Sequence, residues 1–184
     1  EFQNIIDAHT NNKKREKDRT TTLTNGVEMT ISQFEVFKAL TINRIQIVWG
    51  PPGSGKTYFS AASIVKIILA YRHQSQGMPG GNCCRIMVTA VTNSAIDNLL
   101  ERVTKLLICA KLLPSTKKEK FVYKLANKTS SSANSLFDRL SCKHNKTAFK
   151  DNDQIVIGGT VWKFREYTKH NKDERFDILF IDEA

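Results

Sequence analysis

The chain has 184 residues, 40% of them apolar and 25% charged, with a formal net charge of +10. That is enough for one domain with a core, or one domain carrying an insertion. No apolar run approaches the roughly 20 residues of a membrane-spanning helix, and the first residues lack a basic-then-apolar signal pattern. Cys83, Cys84, Cys109 and Cys142 show no CxxC spacing. Cys142 with His144 is too little for a tetrahedral zinc site, so reduced thiols of a nuclear or cytoplasmic protein are expected. His9, His73 and His170 have no evident partners.

In chain order, residues 1–29 read as a polar upstream segment. Thr10 to Thr24 is nearly free of apolar side chains, which suits a linker or exposed stretch. From residue 30 the pattern changes. Ile31, Phe34, Val36, Phe37 and Leu40 recur at helical spacing, with Thr30 or Ser32 available as a cap. Four apolar runs read as buried strands: Ile45–Trp49, Arg85–Ala90, Gln154–Ile157 and Asp177–Ile181. Near-continuous β-branched runs suit a parallel sheet covered on both faces.

Between the strands lie helical patterns over Lys56–Tyr71 and Ser94–Leu113, the second with Asn93 or Ser94 as a cap. Alternating strands and helices imply right-handed crossovers in an α/β fold, a parallel β-sheet flanked by helices. Gln74–Asn82 is a Gly/Pro loop. The stretch 114–153 fits the alternation poorly and reads as an insertion with room for two short helices. Between Lys111 and Lys150 the chain carries ten Lys/Arg against Glu119 and Asp138. Such an excess favours a polyanionic partner, or is a solvated surface.

The sharpest signal follows the Ile45–Trp49 run. Gly50, Pro51, Pro52, Gly53, Ser54, Gly55, Lys56 and Thr57 form G-x-x-x-x-G-K-T at the start of a helical pattern. Glycines let successive backbone N–H groups turn inward onto phosphate oxygens, and the helix N-terminus adds its positive end. Lys56 is placed to reach the outer phosphates of ATP, and the Thr57 hydroxyl to hold Mg²⁺. At the other end of the chain, Asp177–Ala184 is an apolar run closing on two adjacent carboxylates. At the C-terminal edge of a parallel sheet, Asp182 would hold the ion and Glu183 would accept a proton from the attacking water.

Taken together these residues resemble superfamily 1 helicases, of the branch that includes the nonsense-mediated-decay helicase and senataxin. Gln33, in ISQFEVFKAL, is similar to that family's adenine-contacting glutamine. GPPGSGKT is close to its usual GPPGTGKT, IMVTAVTNSAIDNL resembles its motif Ia, and DEA its motif II. Val91-Thr92 stands where the family commonly has Pro-Ser, and the usual glycine is missing after Thr160.

The resemblance implies the first of two RecA-like domains, over residues 30–184, with a basic insertion at about 114–153. It also implies Mg²⁺-ATP as cofactor, single-stranded RNA or DNA as partner, and a second RecA-like domain on the C-terminal side. Thr92, Asn93, Ser94 and Thr160 would touch the strand backbone. The chain starts without Met and stops directly after an apolar run, so a fragment is expected, one that binds Mg-ATP but turns it over poorly.

The rival readings are a remodelling-type ATPase that tracks no strand, and a nucleotide-dependent binding module. Trp162, Phe164 and Tyr167, beside Lys163 and Arg165, suit either base stacking or core packing, as do Phe121 and Tyr123 among lysines.

Overall fold

A computed structural model describes residues 20–23, 27–75, 84–112, 121–126, 136–142 and 154–182. Strands β1 (Thr20–Leu23) and β2 (Val27–Thr30) pair antiparallel, with Thr20 opposite Thr30 and Leu23 opposite Val27. Val27 and Met29 are buried in the main core while Glu28 and Thr30 between them face out. Part of the polar upstream stretch is therefore a hairpin anchored by two apolar side chains.

Thr30 also starts helix α1 (Ile31–Ile42) through a capping box. Its hydroxyl accepts from the Gln33 N–H at 3.2 Å, and its own N–H donates to Gln33 Oε1 at 3.1 Å.

Helices α2 (Lys56–Ser75) and α3 (Asn93–Cys109) pack on each other over one face of a five-stranded sheet. The sheet contains β3 (Cys84–Ala90), β4 (Val122–Ala126), β5 (Asp138–Ser141), β6 (Gln154–Gly158) and β7 (Ile178–Asp182) in the order β5-β4-β6-β3-β7. Every pairing is parallel, as the strand–helix alternation implies. The α3 stripe Ile96, Leu99, Leu100, Val103 and Leu107 is buried, and Thr92 caps it by accepting from the Ala95 N–H at 3.1 Å. The cap is thus one residue earlier than Asn93 or Ser94. At β6, a Cβ on Gly158 would lie 2.6 Å from Leu100 Cδ1, so only glycine lets α3 settle directly on this strand.

Strand alternation divides the core. Val122, Val156, Ile86, Val88 and Phe180 face α2 and α3, whereas Leu125, Ile155 and Ile157 meet Phe164 and Tyr167 of helix α4 (Val161–His170) on the other side. Tyr167 donates a short hydrogen bond to the buried Glu174 carboxylate, tying α4 to the turn that leads into β7.

Two expectations are corrected. Ile45–Trp49 precedes the glycine loop but pairs with no described strand. Ile45, Ile47 and Trp49 are 84%, 84% and 89% exposed. Apolar composition makes a strand only where a partner edge is in register; Val48 packs against the main core, but no described strand pairs with this run. Within 114–153, read as an insertion with room for two short helices, the described parts are instead strands β4 and β5, continuing the sheet. Their half-buried pattern gains more from pairing beside β6 than from an isolated helix. The remaining residues of that stretch, Lys117, Lys118 and Lys120 among them, lie outside the described residues.

Candidate nucleotide-binding site

The loop from Gly50 to Gly55 turns on two glycines with left-handed backbone, Gly53 at φ +79° and Gly55 at φ +83°, where a side chain would be strained. The Ser54 N–H bonds the Pro51 carbonyl at 3.2 Å, and the Phe59 N–H bonds that of Gly55 at 2.8 Å, carrying the loop straight into α2. Lys56 folds back over the loop. Its Nζ donates to the carbonyls of Gly50 at 2.6 Å and Pro51 at 3.0 Å. The ammonium is thereby held over the concavity by weak neutral acceptors, which a phosphate can replace with stronger charge-assisted bonds.

Thr57, the next residue, donates from Oγ1 to Asp182 Oδ2 at 3.3 Å across 125 positions of sequence. Asp182 is buried at the C-terminal end of β7, and Thr57 opens α2, so the sheet edge brings together the two groups read separately from the sequence. Neighbouring oxygens of an octahedral Mg²⁺ lie about 3 Å apart, so this pair fits one such ion. Among the described residues no cluster of three or more His, Cys, Asp or Glu could hold a metal by itself. Phosphate oxygens and water would have to complete the coordination. Glu183 lies outside the described residues.

Gln33 sits beside the loop, and a Cβ on Gly55 would lie 3.4 Å from its Nε2. Helix α2 fixes this approach. Tyr58 donates to the Glu28 carbonyl at 2.8 Å and Lys66 to that of Val27 at 3.2 Å, so the strand preceding Gln33 is tied to the helix following the loop. Lys66 is buried, and desolvation lowers its pKa to about 8. Burial together with the Glu28 charge raises that of Tyr58.

With this geometry in view, comparison with known proteins is specific. Residues 28–153 match the family described as an AAA domain. The chain belongs to that family. Over 77 residues it is also 34% identical to the Regulator of nonsense transcripts 1 homolog of Arabidopsis thaliana, a stretch covering 42% of this chain and 5% of the relative. No solved structure matches. The family match and this relative agree with the resemblance of the chain's motifs to superfamily 1 helicases of the nonsense-mediated-decay branch and with a RecA-like α/β fold.

The other residues singled out in the sequence divide. In the AAA domain, Thr92, Asn93 and Ser94 are exposed at the start of α3, and the Thr92 hydroxyl is already engaged as the cap. Thr160 is half-buried at the start of α4 and makes no side-chain capping bond. Of the aromatics, Phe164 and Tyr167 are core residues, and Phe121 lies under the Arg72 guanidinium at 4.6 Å. Lys124, from the basic stretch, is spent on Asp97 at 2.6 Å.

Sequence reading missed a polar cleft of about 450 Å³ lined by Thr57, Asn98, Glu101, Arg102 and Lys105. The last four recur at i, i+3, i+4 and i+7, which is the signal of one helix face. No described helix is long and apolar enough to cross a membrane.

Proposed function

We propose that this domain is the ATP-binding half of an ATP-dependent RNA or DNA helicase, with Mg²⁺-ATP as cofactor and single-stranded nucleic acid as partner. The observation that carries it is the meeting of Thr57 and Asp182 at 3.3 Å beside the Lys56 loop. Loop amides and Lys56 hold the phosphates, while Thr57 and Asp182 orient the ion. Gln33 would contact the adenine, and Glu183 would accept a proton from a water attacking the γ-phosphate. Bound Mg²⁺ neutralises charge developing on the phosphate oxygens.

Thr92, Asn93, Ser94 and Thr160 stand at the same C-terminal sheet edge and would hold the strand's phosphates. A second RecA-like domain would close over the nucleotide. Exposed apolar side chains on the run before the loop (Ile45, Ile47 and Trp49) and on β7 (Leu179 and Ile181) favour further structure against them.

ATP titration by calorimetry, with magnesium or with chelator, tests this. Mg²⁺ should tighten binding, and Lys56→Ala should weaken it at least about tenfold, the cost of one lost charged hydrogen bond. Asp182→Asn should remove most of the magnesium dependence. Binding that ignores Mg²⁺ and survives Lys56→Ala would reject the site. Turnover by the 184 residues should be slow and little stimulated by single-stranded RNA, since the γ-phosphate would lack groups from the second domain.

A further inference from the structure

Helix α4 presents two unlike faces. Phe164 and Tyr167 are 3% and 2% exposed, whereas Trp162, on the outer side, is 74% exposed and its neighbour Val161 63%. Exposing an indole to water forgoes the burial that normally stabilises so large a side chain. Along the same outer face, at i+3 and i+7 from Trp162, stand the exposed Arg165 and Lys169. The only acid within the helix, Glu166, is half-buried. The outer face therefore reads aromatic, cation, cation, with Arg165 and Lys169 about 6 Å apart along the axis.

The position of this face matters as much as its composition. Helix α4 begins where β6 ends, and β6 neighbours β3, which neighbours β7. All three strands run parallel, so Trp162, the Thr92–Ser94 turn and the Thr57–Asp182 pair share one sheet edge. Val91 and Val161 each stand three residues beyond the paired Val88 and Gly158, and Val91 is 75% exposed. Both are exposed apolar residues at that edge, Val91 beside the turn and Val161 beside the indole. From β7 to β6 is two strand spacings, about 10 Å.

We infer that Trp162 is a base-stacking platform for a single nucleic-acid strand, with Arg165 and Lys169 holding the phosphates that follow. The inference rests on the helicase reading and adds to it three residues that are not among the strand contacts implied by the resemblance. A strand is the occupant that uses every part of the face. Bases of any kind stack on an exposed indole, and the two cations match successive backbone phosphates. An apolar protein surface would leave Arg165 and Lys169 unpaired.

The test uses the full chain carrying Trp49→Phe, which leaves Trp162 as its single tryptophan. Fluorescein-labelled oligo(U) reports overall binding by anisotropy, and tryptophan emission reports contact at Trp162. Emission should be quenched with the same midpoint as the anisotropy change. In the Trp49-containing chain, Trp162→Ala should weaken the strand about tenfold, within the range measured for one stacked base. Trp162→Phe should retain most of the affinity, and ATP affinity should not move.

Arg165→Ala with Lys169→Ala should flatten the salt slope by about 1.4, at about 0.7 for each phosphate contact. If the strand binds while Trp162 emission and affinity stay unchanged, the platform is rejected and the helicase reading stands. If no strand binds at all, both are rejected. A protein partner that quenches Trp162 where oligo(U) does not would also overturn the assignment.

Discussion

The two faces of the sheet are built differently. Beneath α2 and α3 lies a continuous core from Val27 and Phe34 through Leu99 and Leu100 to Phe180, and it takes in Val48 just before the glycine loop and Phe59 just after it. On the other face α4 covers only Leu125, Ile155, Ile157 and their neighbours. Leu179 and Ile181 at the β7 end remain 52% and 58% exposed on that side. One face is committed to holding the nucleotide loop in place. The other leaves Leu179 and Ile181 of β7 and, on the outer side of α4, Trp162 exposed.

The largest expected effect tests that contrast directly. Leu99→Ala, at a fully buried position of the thick face, should cost about 2–5 kcal/mol in urea unfolding. Leu179→Ala, the same chemical change on the bare face, should cost under about 1 kcal/mol. Equal losses would mean that the second face is also packed in solution.

A somewhat smaller effect is expected from Lys66, which lies within the thick face. Its pKa of about 8 in the fold is below the ordinary lysine value of 10.5, so between those values the unfolded chain binds more protons. Stability should therefore rise with pH from about 8 to 10.5, and below pH 8 the full penalty of the buried charge is present. A shift of this size corresponds to up to about 3 kcal/mol, at about 1.4 kcal/mol per pH unit. Lys66→Met should remove this rise, which is read as the difference in urea midpoint between variant and wild type across that window. Parallel curves would show that the ammonium is solvated after all.

The smallest effect concerns the cap that joins the hairpin to α1. Thr30→Ala should cost about 1 kcal/mol through the lost cap, with Thr30→Ser restoring most of it. Because the same capping box orients Gln33, the alanine variant should also bind ATP a few-fold more weakly. Unchanged ATP affinity at reduced stability would separate Gln33 from the nucleotide.

Much of this molecule was legible because it is local. GPPGSGKT fixes its own turn through Gly53 and Gly55, the α3 stripe declares its buried face, and β3, β6 and β7 each carry a contiguous apolar run. The carboxylate at Asp182 could be proposed from the strand it ends. That it reaches Thr57, 125 residues away, is a consequence of strand order.

Where local pattern misled, pairing was the reason. Ile45–Trp49 has the composition of a strand and no described strand partner, while Val122–Ala126 and Asp138–Ser141 look unremarkable and are strands because β6 offers an edge to the first and the first offers one to the second. Likewise Trp162, Phe164 and Tyr167 are equivalent as letters near lysines. Only the helix phase against Ile155 and Ile157 buries two of them and leaves the indole facing water. Sequence by itself determined the chemistry of the loop, since a backbone turn and its side chains are specified within eight residues. Tertiary structure decided which distant groups meet it and which surfaces stay bare, since those depend on hydrogen bonds and contacts between segments far apart in the chain.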